Sequence, residues 1–176
     1  MLLAGAQASV LYFSPEVSSL YKGGTVVSEV WLDTEGELIN AADIQIFFPV
    51  NVLEVVQLNV GGSLFSLYPA EPFFSNEEGT IALQAGAPQG FEGKGMVAKM
   101  FFRAKEKGSA AVRYSPVSRV FLNDGFGTPA ALTLKEALFI VEDKPENLPA
   151  IRSPSHADQT KWYRESQITM TWDSKE

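Results

Sequence analysis

The chain of 176 residues contains no cysteine, so it has no disulfide framework and no thiolate for zinc or an iron–sulfur cluster; its stability rests on packing. Positive charge is also scarce. With 14 Lys and Arg against 21 Asp and Glu, for a net charge of -7, the chain lacks the clustered cations that a phosphate backbone requires, which sets nucleic acid aside. No apolar run reaches the roughly 18 to 20 residues of a membrane-spanning helix. The single histidine, His156, stands near the end beside Asp158, away from any serine in a nucleophile-elbow context, and one imidazole is too few for a catalytic metal site. The acids sit mostly in turns rather than opposite one another on strands, as a glycosidase pair would. The expectation is a protein that is not an enzyme.

What the chain does have is period-two alternation, in short runs of Val, Ile, Phe and Tyr bounded by Gly, Pro, Asn and Asp. Helical periodicity is nearly absent. The alternation predicts strands at Ser9 to Ser14, Thr25 to Leu32, Ala41 to Phe48, Leu53 to Leu58, Thr80 to Ala85, Met96 to Ala104, Ala110 to Phe121, Ala130 to Leu134 and Ala137 to Val141. Lys22-Gly23-Gly24, Glu35-Gly36, Glu78-Gly79 and Lys107-Gly108 supply the tight connections. About nine strands with short links predict an all-β domain, a two-sheet jelly-roll sandwich. The one long irregular connection, Gly62 to Asn76, carries Phe65, Tyr68, Phe73 and Phe74, which pin it to the end of the sandwich.

The termini read differently. Residues 1–8 are apolar and end in Ala6-Gln7-Ala8, the small-x-small form of a signal peptidase site, so they read as a signal-peptide remnant or as a frayed start. Residues 9–143 are the sandwich. Residues 144–150, Lys144-Pro145-Glu146-Asn147-Leu148-Pro149-Ala150, are polar and proline-bearing like a linker. Residues 151–176 resemble the opening strand of an Ig-like or fibronectin-like module, or form a tail, and imply a protein that continues.

Several pieces of the sandwich, in order, carry a family resemblance. Ser14-Pro15 is followed by Lys22-Gly23-Gly24-Thr25-Val26, then Asn40-Ala41-Ala42-Asp43-Ile44, then Val52-Leu53-Glu54-Val55-Val56, then Gly79-Thr80-Ile81, Gly95-Met96-Val97-Ala98 and Met100-Phe101-Phe102-Arg103-Ala104. From Ser9 to Glu142 this succession resembles a cohesin domain. The resemblance implies a non-catalytic module of a secreted or cell-surface scaffold that binds a dockerin-like protein through the sheet containing the third, fifth, sixth and eighth strands. It also implies no cofactor in this chain, with calcium belonging to the dockerin partner.

Alternation then assigns faces. With Ala42, Ile44, Ile46 and Phe48 inward, Ala41, Asp43, Gln45 and Phe47 face out; with Met96, Ala98, Met100, Phe102 and Ala104 inward, Val97, Lys99, Phe101 and Arg103 face out. The resemblance implies that these two strands are sheet neighbours. Phe47 and Phe101 would then form an apolar centre, with Asp43, Gln45, Gln84, Val97, Lys99 and Arg103 around it, an arrangement that concentrates binding energy. The alternative is a cross-strand aromatic pair, or a face covered by Trp162, Tyr163 and Trp172 of the tail.

Three acidic runs invite calcium: Asp33, Glu35 and Glu37; Asn76, Glu77 and Glu78; and Asn123-Asp124-Gly125. None follows the spacing of an EF-hand loop, and solvated turns are the favoured reading. Two further functions compete with protein binding. A carbohydrate-binding module predicts Trp or Tyr aligned on one face, and Trp31, the one tryptophan of the sandwich, is buried if Val30 and Leu32 point out. A structural spacer of an adhesin predicts a polar surface without an apolar centre.

Overall fold

The computed structural model describes residues 8–145, 151–156, 164 and 167–172. Twelve strands build the first of two compact units, Met1–Asp143. They are β1 (Ser9–Ser14), β2 (Val17–Tyr21), β3 (Thr25–Asp33), β4 (Ile39–Phe47), β5 (Leu53–Asn59) and β6 (Phe73–Ser75). Then follow β7 (Thr80–Phe91), β8 (Lys94–Ala104), β9 (Gly108–Tyr114), β10 (Arg119–Leu122), β11 (Leu132–Leu134) and β12 (Ala137–Glu142). One sheet has the order β11-β1-β3-β8-β5; the other has the order β2-β12-β9-β4-β7-β6, with β10 also paired to β4. No helix occurs among the described residues, so none is long and apolar enough to cross a membrane.

The alternation explains the core. Along β4, Ala42, Ile44 and Ile46 are buried, and the phase continues to Phe48 just past the strand. Leu11 and Phe13 of β1, Val30 and Leu32 of β3, Ile81 and Leu83 of β7 and Met100 and Phe102 of β8 meet them between the sheets. Phe102 bridges the sheets, with its ring 5.5 Å from Phe48 in an edge-to-face contact and 6.1 Å from Phe139 of β12. Phe13 stacks on Tyr114 at 4.4 Å. Burial pushes the Tyr114 phenol well above its ordinary range.

Four strand expectations change. The predicted strand Ala110 to Phe121 is two, β9 and β10, both paired to β4, with a detour at Ser115-Pro116-Val117-Ser118. Pro116 has no amide to donate to a ladder, and the Ser118 hydroxyl fills the gap: it accepts from Gln45 N and donates to Gln45 O, both at 3.1 Å. Ala130 to Leu134 shortens to β11. Two short strands, β2 and β6, were not signalled by alternation. Pro15 ends β1, and the chain crosses from one sheet to β2 in the other. β6 is tied back by a side chain: the Asn76 carboxamide accepts from Val55 N at 2.7 Å and donates to Val55 O at 2.8 Å, standing in for a strand along the free edge of β5. The turn into β7 needs Gly79, whose φ is 68° and whose place would bring a Cβ against the Phe48 carbonyl.

The second unit is Lys144–Glu176. In it β13 (Ile151–Arg152) pairs antiparallel with β14 (Thr171–Trp172), and Ser153 Oγ donates to Thr169 O at 3.0 Å. His156 lies in a turn with Nδ1 2.9 Å from Ser155 Oγ. Residues 1–7 and 146–150, with Trp162 and Tyr163, lie outside the described residues.

Candidate partner-binding faces

A sandwich offers two outer faces, and the candidate residues fall on both. β4 and β8 belong to opposite sheets. Asp43, Gln45 and Phe47 of β4 and Gln84 of β7 share one face, with Asp43 opposite Gln84 and Phe47 opposite Thr80 in the ladder. Lys99, Phe101 and Arg103 of β8 lie on the other face. The expectation that Phe47 and Phe101 form one apolar centre is therefore corrected. Its cause is the strand count: without the three-residue β6 the count slips by one, and Met96 to Ala104 takes a place in the wrong sheet.

Val97 is corrected too, since it is fully buried. The β3–β8 ladder runs Val30 to Ala98 and then Trp31 to Met96, so Val97 is the extra residue of a bulge. Beyond the bulge the phase inverts. Val97 and Ala98 both face the core, and Met96, expected inside, is only half-buried.

The β8 face carries three ion pairs beside exposed Val27, the rung partner of Phe101. Lys99 Nζ meets Glu29 Oε1 at 3.0 Å and Arg103 Nη1 meets Glu54 Oε1 at 3.2 Å, each across a ladder rung. Lys94 Nζ meets Asp33 Oδ2 at 2.8 Å. The hydrogen bond from Lys99, helped by Trp31 Nε1–H donating to Glu29 at 3.0 Å, holds the Glu29 carboxyl below its usual range; Lys94 does the same for Asp33. Phe101 lies half-buried between Val27 and Gln57 in the ladder. Trp31, read as buried if its neighbours pointed out, points out itself, because Val30 and Leu32 are fully buried.

The β4 face exposes more large apolar side chains, set among charged ones: Phe47 has Arg113 as a rung partner and Asp43 has Arg119. Phe47 is 40% exposed, and Phe73 of β6 is 59% exposed on the rung of Ala82 and Gln45. On the far side of the sheet, Val17 of β2, Leu138 of β12 and Ala111 of β9 share a rung, with Ile140 and Tyr21 exposed beside them. A groove of about 320 Å³ joins the two parts, lined by Phe47, Phe48, Pro49, Ser109, Ala111 and Arg113. Among the described residues no ion pair joins strands of this sheet; Lys22–Glu106 and Lys107–Asp143 lie just past the ends of β2, β9 and β12. Arg119, the rung partner of Asp43, turns its guanidinium to Pro116 O and Ser118 O at 2.7 and 2.8 Å. Val17, Tyr21, Leu138 and Ile140 were missed, and Phe73, expected to pin the long connection as buried Phe65 does, is exposed instead. One signal was legible: Ala137 to Val141 is apolar at every position, so a strand there carries apolar side chains on both faces.

The acidic runs have local roles. Asp33 Oδ1 accepts from Glu35 N at 3.2 Å, Asn76 closes the β5 edge, and Asp124 Oδ1 accepts from Phe126 N at 2.9 Å in a turn. No cluster of three or more potential metal-ligating side chains occurs among the described residues.

No protein-family model matches the chain, and no curated protein matches it significantly. Solved structures do match. A non-cellulosomal cohesin from the archaeon Archaeoglobus fulgidus superposes with a TM-score of 0.58 at 18% identity, covering 80% of this chain and 95% of that one. The sixth cohesin of Acetivibrio cellulolyticus scaffoldin B, in complex with a mutant dockerin, gives a TM-score of 0.61 at 17% identity, covering 77% and 100%. A cohesin from Clostridium thermocellum, in a type I cohesin–dockerin complex, gives 0.61 at 15% identity, with the same coverage of 77% and 100%. With these likenesses spread over the sandwich and its two sheets formed as described, the chain has the cohesin fold, an all-β jelly roll.

Proposed function

We propose that this chain is a non-catalytic protein-binding module that receives a dockerin-like partner on the outer face of the β9-β4-β7-β6 region, as part of a secreted or cell-surface assembly. The observation that carries the reading is the contrast in pairing: the β4 face exposes Phe47, Phe73, Leu138 and Ile140 with no ion pair among them. Phe73 stands on the outward rung next to that of Phe47, and Leu138 shares its rung with exposed Val17; monomeric proteins seldom leave such groups of apolar side chains bare. Phe47 is its anchor, at the mouth of the groove, with Asp43, Gln45 and Gln84 as polar neighbours on the adjoining rungs. Lys99, Phe101 and Arg103 are outside this site. Two of the solved relatives are complexes with dockerins, which supports the class of partner. Calcium enters with that partner.

The test is capture from the secreted and surface proteins of the source cells on the immobilised full chain, with captured chains identified by mass spectrometry and titrated after purification. A dockerin-bearing chain, released by calcium chelation, is the expected catch. Phe47→Ala raises its Kd about 30-fold, the loss of about 2 kcal/mol that an anchor carries, and Phe101→Ala changes it less than twofold. Equal binding by wild type and Phe47→Ala would remove this face from the proposal.

A further inference from the structure

The β8 face carries a feature that protein docking on the opposite sheet does not use. Tyr12 of β1 and Trp31 of β3 are direct rung partners, both point outward, and their rings lie 6.5 Å apart with only 22° between their planes. The two rings form one near-parallel, stacked aromatic pair. The indole is fixed by its N–H bond to Glu29, which Lys99 holds in turn, so the pair is preorganised.

Beside Tyr12 opens a pocket of about 270 Å³ whose lining includes Val10, Phe13 and the charged Glu16, Asp33, Glu35, Lys94, Lys135 and Glu136. Val10 and Asp33 are the next outward rung after Tyr12 and Trp31, so the aromatic pair borders the pocket that Tyr12 lines. The size is near the lower end of small-ligand sites, about 300 Å³. Its chemistry is mixed: carboxylates accept hydrogen bonds, ammonium groups donate them, and an aromatic ring offers a flat apolar surface.

A pyranose ring has that combination in complement. Its axial C–H bonds make a flat apolar face that lies on aromatic rings, and its equatorial hydroxyls both donate and accept. Charge narrows the class. Asp33 is neutralised by Lys94, which leaves Glu16, Glu35 and Glu136 against Lys135, an excess of negative charge that repels uronates and sulfated sugars. We infer that Tyr12 and Trp31, with the adjoining pocket, form a subsite for a neutral hexopyranose unit of a polysaccharide, independent of the partner face on the other sheet.

The test is affinity electrophoresis of the full chain in native gels containing hydroxyethyl cellulose, galactomannan or soluble starch, with polygalacturonate and glycol chitosan as charged comparators. Retardation is expected in at least one neutral gel and not in polygalacturonate. Tyr12→Ala and Trp31→Ala each weaken it at least about tenfold while circular dichroism shows an intact sandwich. Glu136→Gln, at a surface carboxyl of the pocket, weakens it several-fold and serves should Trp31→Ala fail to fold. Phe47→Ala leaves retardation unchanged, and Trp31→Ala leaves dockerin capture unchanged, so either proposal can fall alone. No retardation in any neutral gel, retardation in the charged gels alone, or retardation that survives both Tyr12→Ala and Trp31→Ala would overturn the assignment.

Discussion

The two outer faces of the sandwich are built from the same alternation and differ in how far their charged side chains pair within the face. On the β3–β8 side, rungs pair Glu29 with Lys99 and Asp33 with Lys94, and the cross-strand charges occupy each other. On the β4 side, rungs pair Leu138 with Ala111 and Ala82 with Phe73, while Phe47 stands opposite Arg113 and Asp43 opposite Arg119 with no ion pair between the last two. Burial patterns of the strands are alike on both sides, so stability of the core does not distinguish them. The difference is in what each face leaves unsatisfied. A face whose charges are paired within it has little to gain from a protein partner, whereas exposed apolar side chains gain from being covered.

The sharpest way to test where the faces begin is the bulge at Val97. Val97 and Phe101 lie on one strand at positions that simple alternation puts on the same side, yet Val97 is fully buried and Phe101 is not. Val97→Asp places an unpaired carboxylate between the sheets and costs about 3 kcal/mol or more, read as a lowered midpoint in urea denaturation. Phe101→Asp, whose charge reaches water, costs less than half as much. Equal losses would mean that the ladder continues without a bulge and that the two faces are drawn in the wrong place.

That bulge also marks the limit of what the sequence discloses. The inward set of β4 was legible because the period is strict for eight residues, from Ala41 to Phe48. So was the inward set of β8 from Ala98 to Ala104, but an inserted residue inverts the phase without changing composition, and Met96 and Val97 exchange places. The all-β class and the long strands were legible for the same reason. The assignment of strands to sheets was not, because it depends on the count. β6 is three residues, too short for alternation to show, and its position is held by Asn76 and by pairing with β7. Asp43, Gln45, Phe47 and Gln84 were found as one face; Leu138 and Ile140 were missed because an apolar run looks the same whether its second face is core or surface.

The contrast can be erased by giving the bare face the chemistry of the paired one. Leu138→Lys with Ala111→Glu sets opposite charges on one outward rung of β12 and β9. Stability should stay within about 0.5 kcal/mol of wild type, since both sites are at the surface. Partner binding by surface plasmon resonance should weaken about tenfold, as apolar contact is lost and charges are desolvated on docking. Unchanged binding would confine the partner to the Phe47 side of the groove.

Acid should act on the paired face and on the turn at Asp124, whose carboxyl is held below its usual range by hydrogen bonds from Thr128 and Phe126 N. Glu29 and Asp33 have carboxyls held below their usual range by Lys99 and Lys94 respectively, so in the folded state they bind fewer protons than in the unfolded chain. Their contribution is present above the unfolded values, about 4.3 for Glu and 3.9 for Asp, and is lost as pH falls through the folded ones. Unfolding free energy measured from pH 6 down to pH 2.5 should decline, and Glu29→Gln with Asp33→Asn should flatten the part of that decline lying below about pH 4.3. A slope unaltered in the double variant would assign the acid sensitivity to other carboxylates.

The smallest effect is the most telling about why the paired face exists. Lys99 and Glu29 are partly exposed, with 39% and 26% of their side chains accessible, and exposed pairs contribute roughly 0.2 to 1 kcal/mol. A double-mutant cycle with Lys99→Ala and Glu29→Ala, followed by urea denaturation, should return a coupling in that range, and Arg103 with Glu54 the same or less. A coupling so small cannot be what holds the sandwich together. It is large enough to orient Glu29 beneath the Trp31 N–H, so the cycle has a second readout: Glu29→Ala should broaden Trp31 side-chain resonances while the core methyls of Ile44 and Leu83 keep their shifts. Coupling above about 2 kcal/mol would instead make these pairs part of the framework, and the paired face would then be a stabilising surface in its own right rather than the mounting of an aromatic pair.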